Sequence, residues 1–352
     1  MAQYSTSPWS RLCRTALVAL LAATCLVSAP TASACACGAP AMPDGVDATA
    51  TQEIALVSGD GRTETIEMRL ALQSAGDRGA LVVPTPAPAT VSGGTAETFT
   101  ELGWITKPRV DTRRRLFGFP NLIPLMGAGN PGAPEVLGRV RIGPIEAVTL
   151  RGGDAPGLQR WLSDNGFALR AEVAATLTGY VADGWSFVAL RLVGDDLRGG
   201  LKPVRLTFPS TELVYPMRMS RAARQSQRVT VYALGHHRVE RTDADRGRQD
   251  TTLEFAGRIG AATHDPRLTE LSAGVGDYLT RITTEAAPES ITTDFRFSRA
   301  ATDEPYQRVD VEYVADGRTA LTTMLTAVGA LAGIAFLVGG AAVIDRRRRA
   351  RG

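Results

Sequence analysis

Residues 53–72 read Glu-Ile-Ala-Leu-Val-Ser-Gly-Asp-Gly-Arg-Thr-Glu-Thr-Ile-Glu-Met-Arg-Leu-Ala-Leu. Ile54 to Val57 form a short apolar run that leads into Ser58-Gly59-Asp60-Gly61, a turn rich in residues that tolerate positive φ. Beyond the turn, Glu64, Ile66, Met68 and Leu70 alternate with Thr63, Thr65, Glu67 and Arg69, which puts the apolar members on one face of a strand. The stretch predicts a β-hairpin and directs the reading toward a sheet-based fold.

Working outward, Leu81-Val82-Val83 is a short strand that ends in the extended segment Pro84-Thr85-Pro86-Ala87-Pro88. Residues 136–150 hold two strand-like runs around Gly143-Pro144. Asp154, Pro156, Leu158, Trp161, Leu162 and Asn165-Gly166 carry the start, apolar face and stop of a helix. Further strands follow at Trp185–Leu192, Val204–Phe208 and Val229–Leu234. The last third holds a charged loop (Glu240 to Asp250), a helix beginning near Asp265-Pro266, and strands around Phe295 and Val309. The expected class is α+β, a strand-dominated ectodomain with few helices, plus one C-terminal transmembrane helix. A stretch dense in Gly and Pro, residues 117–135, cannot sustain a helix or a central strand and marks a candidate subdivision.

The two ends read as addresses. Arg11 and Arg14, the uncharged core Ala16–Ser28 and Ala32-Ser33-Ala34 make residues 1–34 an expected signal peptide, with an uncleaved anchor as the plainer alternative. Residues 319–344 are 26 consecutive positions without a charge. As a helix they would reach about 39 Å, enough to cross a ~30 Å hydrocarbon core. Asp345 and then Arg346, Arg347, Arg348, Arg349 and Arg351 follow, a cluster that resists translocation and favours a cytoplasmic tail at 345–352. The expected organisation is therefore a signal peptide, an extracytoplasmic α+β domain at 35–318, a single membrane pass and a basic stub. Gly329 and Gly333 give the span a G-x-x-x-G spacing, which simple Ala/Gly richness also explains.

With 44% apolar and 21% charged residues, the 352-residue chain has the composition of a packed protein, and its formal net charge is +3. Its basic excess lies in the two ends, while the intervening domain is slightly acidic, so nucleic acid is not an expected partner. The expected partners are the membrane, through the C-terminal helix, and a protein or polymer of the cell envelope.

Cys35 and Cys37 are the cysteines left after signal cleavage. In an oxidising compartment they are a candidate disulfide; lipidation of Cys35, a free thiol pair and soft-metal ligation are the alternatives. His236, His237 and His264 have no spacing that ties them to the cysteines. Gly127-Ala128-Gly129-Asn130-Pro131-Gly132 satisfies G-x-G-x-x-G formally, but Pro131 and Pro134 break the helix that a dinucleotide site needs. Arg113-Arg114-Arg115 and the helically spaced Arg218, Arg221, Arg224 and Arg228 are either a cationic face or solvated charge. No motif nominates a catalytic, metal-binding or cofactor-binding residue. The reading is a non-enzymatic binding or structural module of the envelope; the rivals are an extracytoplasmic hydrolase and a C-x-C thiol or metal-handling protein.

Val140–Val148, Leu158–Gly166 and Gly184–Ala189, joined by Ala80–Pro88 and Pro203–Pro216, resemble the central signature of an uncharacterised bacterial family, a domain of unknown function. The resemblance implies exported proteins with cysteines at the mature N-terminus and often a C-terminal membrane helix. It implies a shared fold and brings no activity and no catalytic residue.

Overall fold

The computed structural model describes residues 39–41, 48–74, 78–115, 140–142, 145–150, 155–167, 170–193, 202–260 and 262–315. The anticipated hairpin is present: β2 (Ala48–Gly59) and β3 (Thr63–Ser74) pair antiparallel, with Val57 opposite Ile66. Asp60 closes the turn by accepting hydrogen bonds from the Arg62 and Thr63 amides at 2.9 and 2.8 Å.

The hairpin sits inside an eight-stranded sheet. Its order is β17 (Tyr306–Gln307), β14 (Asp250–Arg258), β15 (Tyr278–Ala286), β12 (Gln227–Gly235), β2, β3, β10 (Val204–Pro209) and β5 (Thr90–Gly93). Strands from before and after residues 117–135 thus share one sheet, with β10 inserted between β3 and β5. All pairs are antiparallel except β12 with β2. A five-stranded sheet runs β1 (Ala39–Ala41), β4 (Arg78–Thr85), β9 (Ser186–Val193), β8 (Ile145–Leu150) and β7 (Val140–Ile142). A three-stranded sheet joins β11 (Leu213–Tyr215), β16 (Phe295–Arg299) and β13 (Val239–Arg241).

Strand alternation then builds the layers. Ala55, Val57, Ile66, Met68, Val229, Val231 and Ile282 of the large sheet meet Leu81, Val83, Ile145, Val188 and Leu190 of the second sheet and Phe295 and Phe297 of the third. The opposite face of the large sheet, with Leu56, Tyr232, Leu234 and Leu279, is covered by Phe99 and Leu102 of α1 (Ala96–Ile105) and by Leu268 of α4 (Pro266–Val275). The outer face of the five-stranded sheet, with Ala80, Val82, Phe187 and Ala189, is covered from α2 (Ala155–Asp164) by Leu162 and from α3 (Ala171–Ala182) by Val173, Leu177 and Tyr180. Helices, sheet, sheet and helices therefore stack in four layers. Strands buried on both faces need unbroken apolar runs, which is why Ile54 to Val57 do not alternate. Each fully buried Leu, Ile or Phe contributes about 1.5–3 kcal/mol relative to exposure.

Two capping contacts place the outer helices. Asp265 accepts from the Leu268 amide at 2.8 Å, with Pro266 in the first turn of α4. Buried Glu67 accepts from the Thr95 amide at 3.1 Å just before α1 and pairs with Arg205 at 2.9 Å. Gly166, at φ 81°, stops α2 where the Asn-Gly pair predicted.

A fourth element leaves this body. β6 (Arg109–Arg115) and β18 (Val309–Ala315) form a two-stranded parallel ribbon in register from Arg109 opposite Val309 to Arg115 opposite Ala315. Among the described residues no helix is long and apolar enough to cross a membrane. The 1–34, 117–135, 319–344 and 345–352 assignments fall wholly outside the described residues.

Candidate functional site

Cys35, Cys37 and the Gly127–Gly132 motif also lie outside the described residues. Among the described residues no group of three or more His, Cys, Asp or Glu side chains has the arrangement of a metal site. The chemistry-bearing side chains instead gather in three places.

The first is the arginine set between Arg218 and Arg228, whose helical spacing does not correspond to an α-helix. Residues Arg218–Ala222 are a 3-10 turn, and Arg228 lies on β12, where it pairs with Glu285. Arg218 is turned inward: Nε donates to Asp294 at 2.7 Å and a terminal nitrogen to Asp183 at 2.6 Å, with the guanidinium 4.0 Å from the Tyr180 ring centre. Asp294 also accepts from the Tyr180 hydroxyl and from the Met217 amide. Burial pushes the Tyr180 phenol well up, and the neighbouring Asp294 charge adds to the shift, so it stays a proton donor. Arg221 donates to the Ile291 carbonyl. Arg218 thus ties α3 to Asp294 beside β16, while Arg221, Arg224 and Arg228 are exposed.

The second cluster lies inside the segment expected to be a charged loop. Arg241 is 2% exposed and forks onto Asp243. Fully buried Asp245 accepts from the Thr292 hydroxyl and from the amides of Thr292 and Thr293. Burial alone would raise the Asp245 carboxyl, but these donors and Arg248 outweigh it and hold the pKa at about 2. This network fastens residues 240–250 to the β16 side.

The third place is concave. A cavity of about 570 Å³ opens where β17 adds to β14, lined by Arg109, Phe255, Arg258, Tyr278, Asp303 and Tyr306 among others. Tyr278 is buried and its hydroxyl donates to the Asp303 carbonyl at 2.9 Å. Burial raises its pKa, so the phenol stays neutral. Arg109 Nε donates to Gln307 Oε1 at 2.7 Å, and Arg258 pairs with Asp277 while its guanidinium stands 5.9 Å from the Tyr278 ring centre. At the rim, His237 Nδ1 lies 2.8 Å from Asp303 Oδ2, and the Arg238 amide donates to Asp303 Oδ1 at 3.0 Å. The hydrogen bond to His237 holds the Asp303 carboxyl below its usual range.

The histidine pair does follow a strand and Gly235, as its position in the sequence suggested. Its members part company: His236 lies against Gly276, and His237 turns to Asp303. His264 uses its backbone amide on Glu101. Chemically, the cavity offers aromatic faces and guanidinium groups side by side, an arrangement that suits a ligand with ring faces and anionic substituents. Sequence reasoning missed it because its lining comes from positions 109, 255–258, 278 and 303–307, joined only by strand pairing.

No curated protein matches the chain. Among solved structures, the crystal structure of baculovirus P35 is similar with TM-score 0.36 and 8% identity, covering 74% of this chain and 99% of that one. P35 in its complex with caspase-8 gives TM-score 0.32 and 4% identity, covering 70% and 96%. A mutated baculovirus P35 after caspase cleavage gives 0.32 and 7%, covering 71% and 100%. Likeness at these scores carries no argument about fold or function. The model of the family described as an uncharacterized protein conserved in bacteria (DUF2330) matches residues 31–298, and the chain belongs to that family.

Proposed function

We propose that this protein is a membrane-anchored extracytoplasmic binding module of the cell envelope, held by residues 319–344 as a single pass with the 345–352 stub in the cytoplasm. Its site is the cavity at the β14–β17 edge, and its ligand is an envelope polymer that combines sugar rings with acidic groups. The observation that carries the reading is the juxtaposition of Tyr278, Tyr306 and Phe255 with Arg109 and Arg258 around one opening of about 570 Å³. Aromatic faces take the apolar side of a ring, and guanidinium groups take carboxylate or phosphate oxygens.

Calorimetric titration of the full-length chain in detergent with purified anionic wall polymer tests this. Saturable binding that weakens at least tenfold in both Arg109→Glu and Tyr306→Ala, but not in the distant Arg160→Glu, is the expected result. No binding, or binding indifferent to both cavity changes, would overturn it.

The hydrolase reading draws on one observation, the His237–Asp303 pair at the same rim, whose geometry suits a general base and its orienting carboxylate. Turnover of the polymer that is lost in His237→Ala would favour that reading over simple binding.

A further inference from the structure

We infer that the β6–β18 ribbon is a membrane-contact surface that lies with one chosen face against an anionic phospholipid bilayer. The inference rests on the proposed membrane pass at 319–344 and adds to it a second, non-spanning contact.

The ribbon is unusual for a strand pair in how much apolar surface it leaves uncovered. Val110, Val309 and Val311 are 55%, 51% and 39% exposed, and Trp104, just before the ribbon at the end of α1, is 70% exposed. An isolated pair of strands is marginal in water, so a covering partner would stabilise it. The chain's own path names that partner. β18 ends at Ala315, and Asp316, Gly317 and Arg318 separate it from the uncharged stretch beginning at Thr319. Four Cα steps span at most about 14 Å. If Thr319 enters the bilayer, the end of the ribbon cannot stand far from the headgroups.

Charge decides which face turns down. Alternation places Arg109, Asp111, Arg113, Val309 and Val311 on one side and Val110, Thr112, Asp310 and Glu312 on the other. The side-chain contacts agree: Arg109 bonds Gln307 and Arg113 bonds Asp111 on the first side, while Arg308 bonds Asp310 on the second. The first face carries two valines and two arginines, with its single acid already paired to Arg113. The second presents Val110, Thr112 and Glu312, with Asp310 paired to Arg308. After these pairings Arg109 is left in excess on the first face and Glu312 on the second, so an anionic bilayer favours the first, and valines flanked by arginines suit an interface where apolar groups enter and cations stay with the phosphates. Arg109 and Gln307 also line the cavity, so this orientation turns the proposed binding site toward the membrane surface.

The test uses the full-length chain with its four cysteines replaced by serine, reconstituted into phosphatidylcholine vesicles with and without phosphatidylglycerol. Spin labels placed through Val309→Cys, Val311→Cys or, on the other face, Val110→Cys are read by their accessibility to a water-soluble nickel relaxant. The expected result is a several-fold drop in accessibility at 309 and 311 on the anionic vesicles alone, with 110 open throughout. Hydrogen exchange of residues 309–313 in the chain with native cysteines is the second readout: slowing on anionic vesicles that is lost in Val309→Glu/Val311→Glu supports the same contact. Equal accessibility at all three labels, in chain that still resists alkaline carbonate extraction, overturns the ribbon contact and leaves the anchor standing. Release of the chain by carbonate overturns the anchor and the contact with it. Shielding of 309 and 311 already in detergent assigns the face to another segment of the chain and also overturns the proposal.

Discussion

Arg241 and Asp243 meet inside the protein as a two-toothed fork: Arg241 Nε donates to Asp243 Oδ2 at 3.0 Å and a terminal nitrogen donates to Oδ1 at 2.7 Å. The remaining terminal nitrogen donates to Thr251 and Thr284, both at 3.1 Å, and the guanidinium lies 3.6 Å from the centre of the Phe295 ring. The pair therefore joins β13, β14, β15 and β16 at one point.

Removing one partner strands the other as a buried charge, so Asp243→Ala or Arg241→Met should each cost about 3–5 kcal/mol. Arg241→Lys should also be costly, since an ammonium cannot fork onto the carboxylate or stack on Phe295. The double change Arg241→Met/Asp243→Ala should cost less than the sum of its parts. Urea unfolding of the four variants checks this; additive losses would show that the pair is not a unit.

Asp245 gives a pH dependence with a defined sense. Its folded pKa of about 2 lies below the ordinary aspartate value of 3.8. The stabilisation is therefore complete above the unfolded value and is lost as pH falls through 3.8 toward 2. By linkage the shift corresponds to about 2 kcal/mol at neutral pH. Asp245→Asn should lose roughly that amount at pH 7 and flatten the acid limb of the stability curve. Melting temperatures followed from neutral pH down through 3.8 to about 2 provide the check.

How much of this was legible in the sequence depends on how local each signal was. The β2–β3 hairpin announced itself through Ser58–Gly61 and the alternation beyond, and α4 through Asp265-Pro266, because turn and cap chemistry are read within a few residues. α1 and α3 did not stand out. α1 buries only Thr98, Phe99 and Leu102 and carries Gly103, while α3 sets Val173, Leu177 and Tyr180 among Ala and Thr that suit strand or loop nearly as well. Arg241 was the hardest to foresee. Asp243 is two residues away, but Thr284 and Phe295 arrive from other strands, so nothing near it in the chain distinguishes it from a solvated arginine.

Gly276 and Gly61 separate backbone strain from crowding. Both have positive φ, 99° and 81°. A Cβ at Gly61 would meet nothing within 4 Å, whereas at Gly276 it would stand 2.7 Å from the Gly235 carbonyl and 2.6 Å from the His236 ring. Gly61→Ala should cost about 1 kcal/mol through the left-handed backbone alone. Gly276→Ala should cost at least twice as much, about 2–4 kcal/mol, because backbone must move as well. It should also shift the Tyr278 side of the cavity, two residues away. Denaturant midpoints for the pair check the ranking; equal losses would mean that the β12 end yields freely.

Glu64 sits in the sandwich core beside Ile66, fully buried, with one carboxyl oxygen accepting from the Val214 amide at 2.8 Å and the other without a partner among the described residues. Burial pushes its pKa well above the ordinary glutamate value of 4.5, more than the Val214 amide and the Ser210 side chain lower it. The folded chain therefore keeps a proton that the unfolded chain releases, and stability should fall as pH rises from 4.5 up to the raised folded value. Asp245 acts in the opposite sense and at lower pH, so the two are separable in one titration. Glu64→Gln keeps an oxygen for Val214 and carries no ionisable proton. It should be more stable than the parent at pH 8 and nearly equal to it at pH 4, measured by urea midpoints. A parent whose stability rises across that interval, or a glutamine variant that is weaker at both pH values, would show that Glu64 is folded in its charged form.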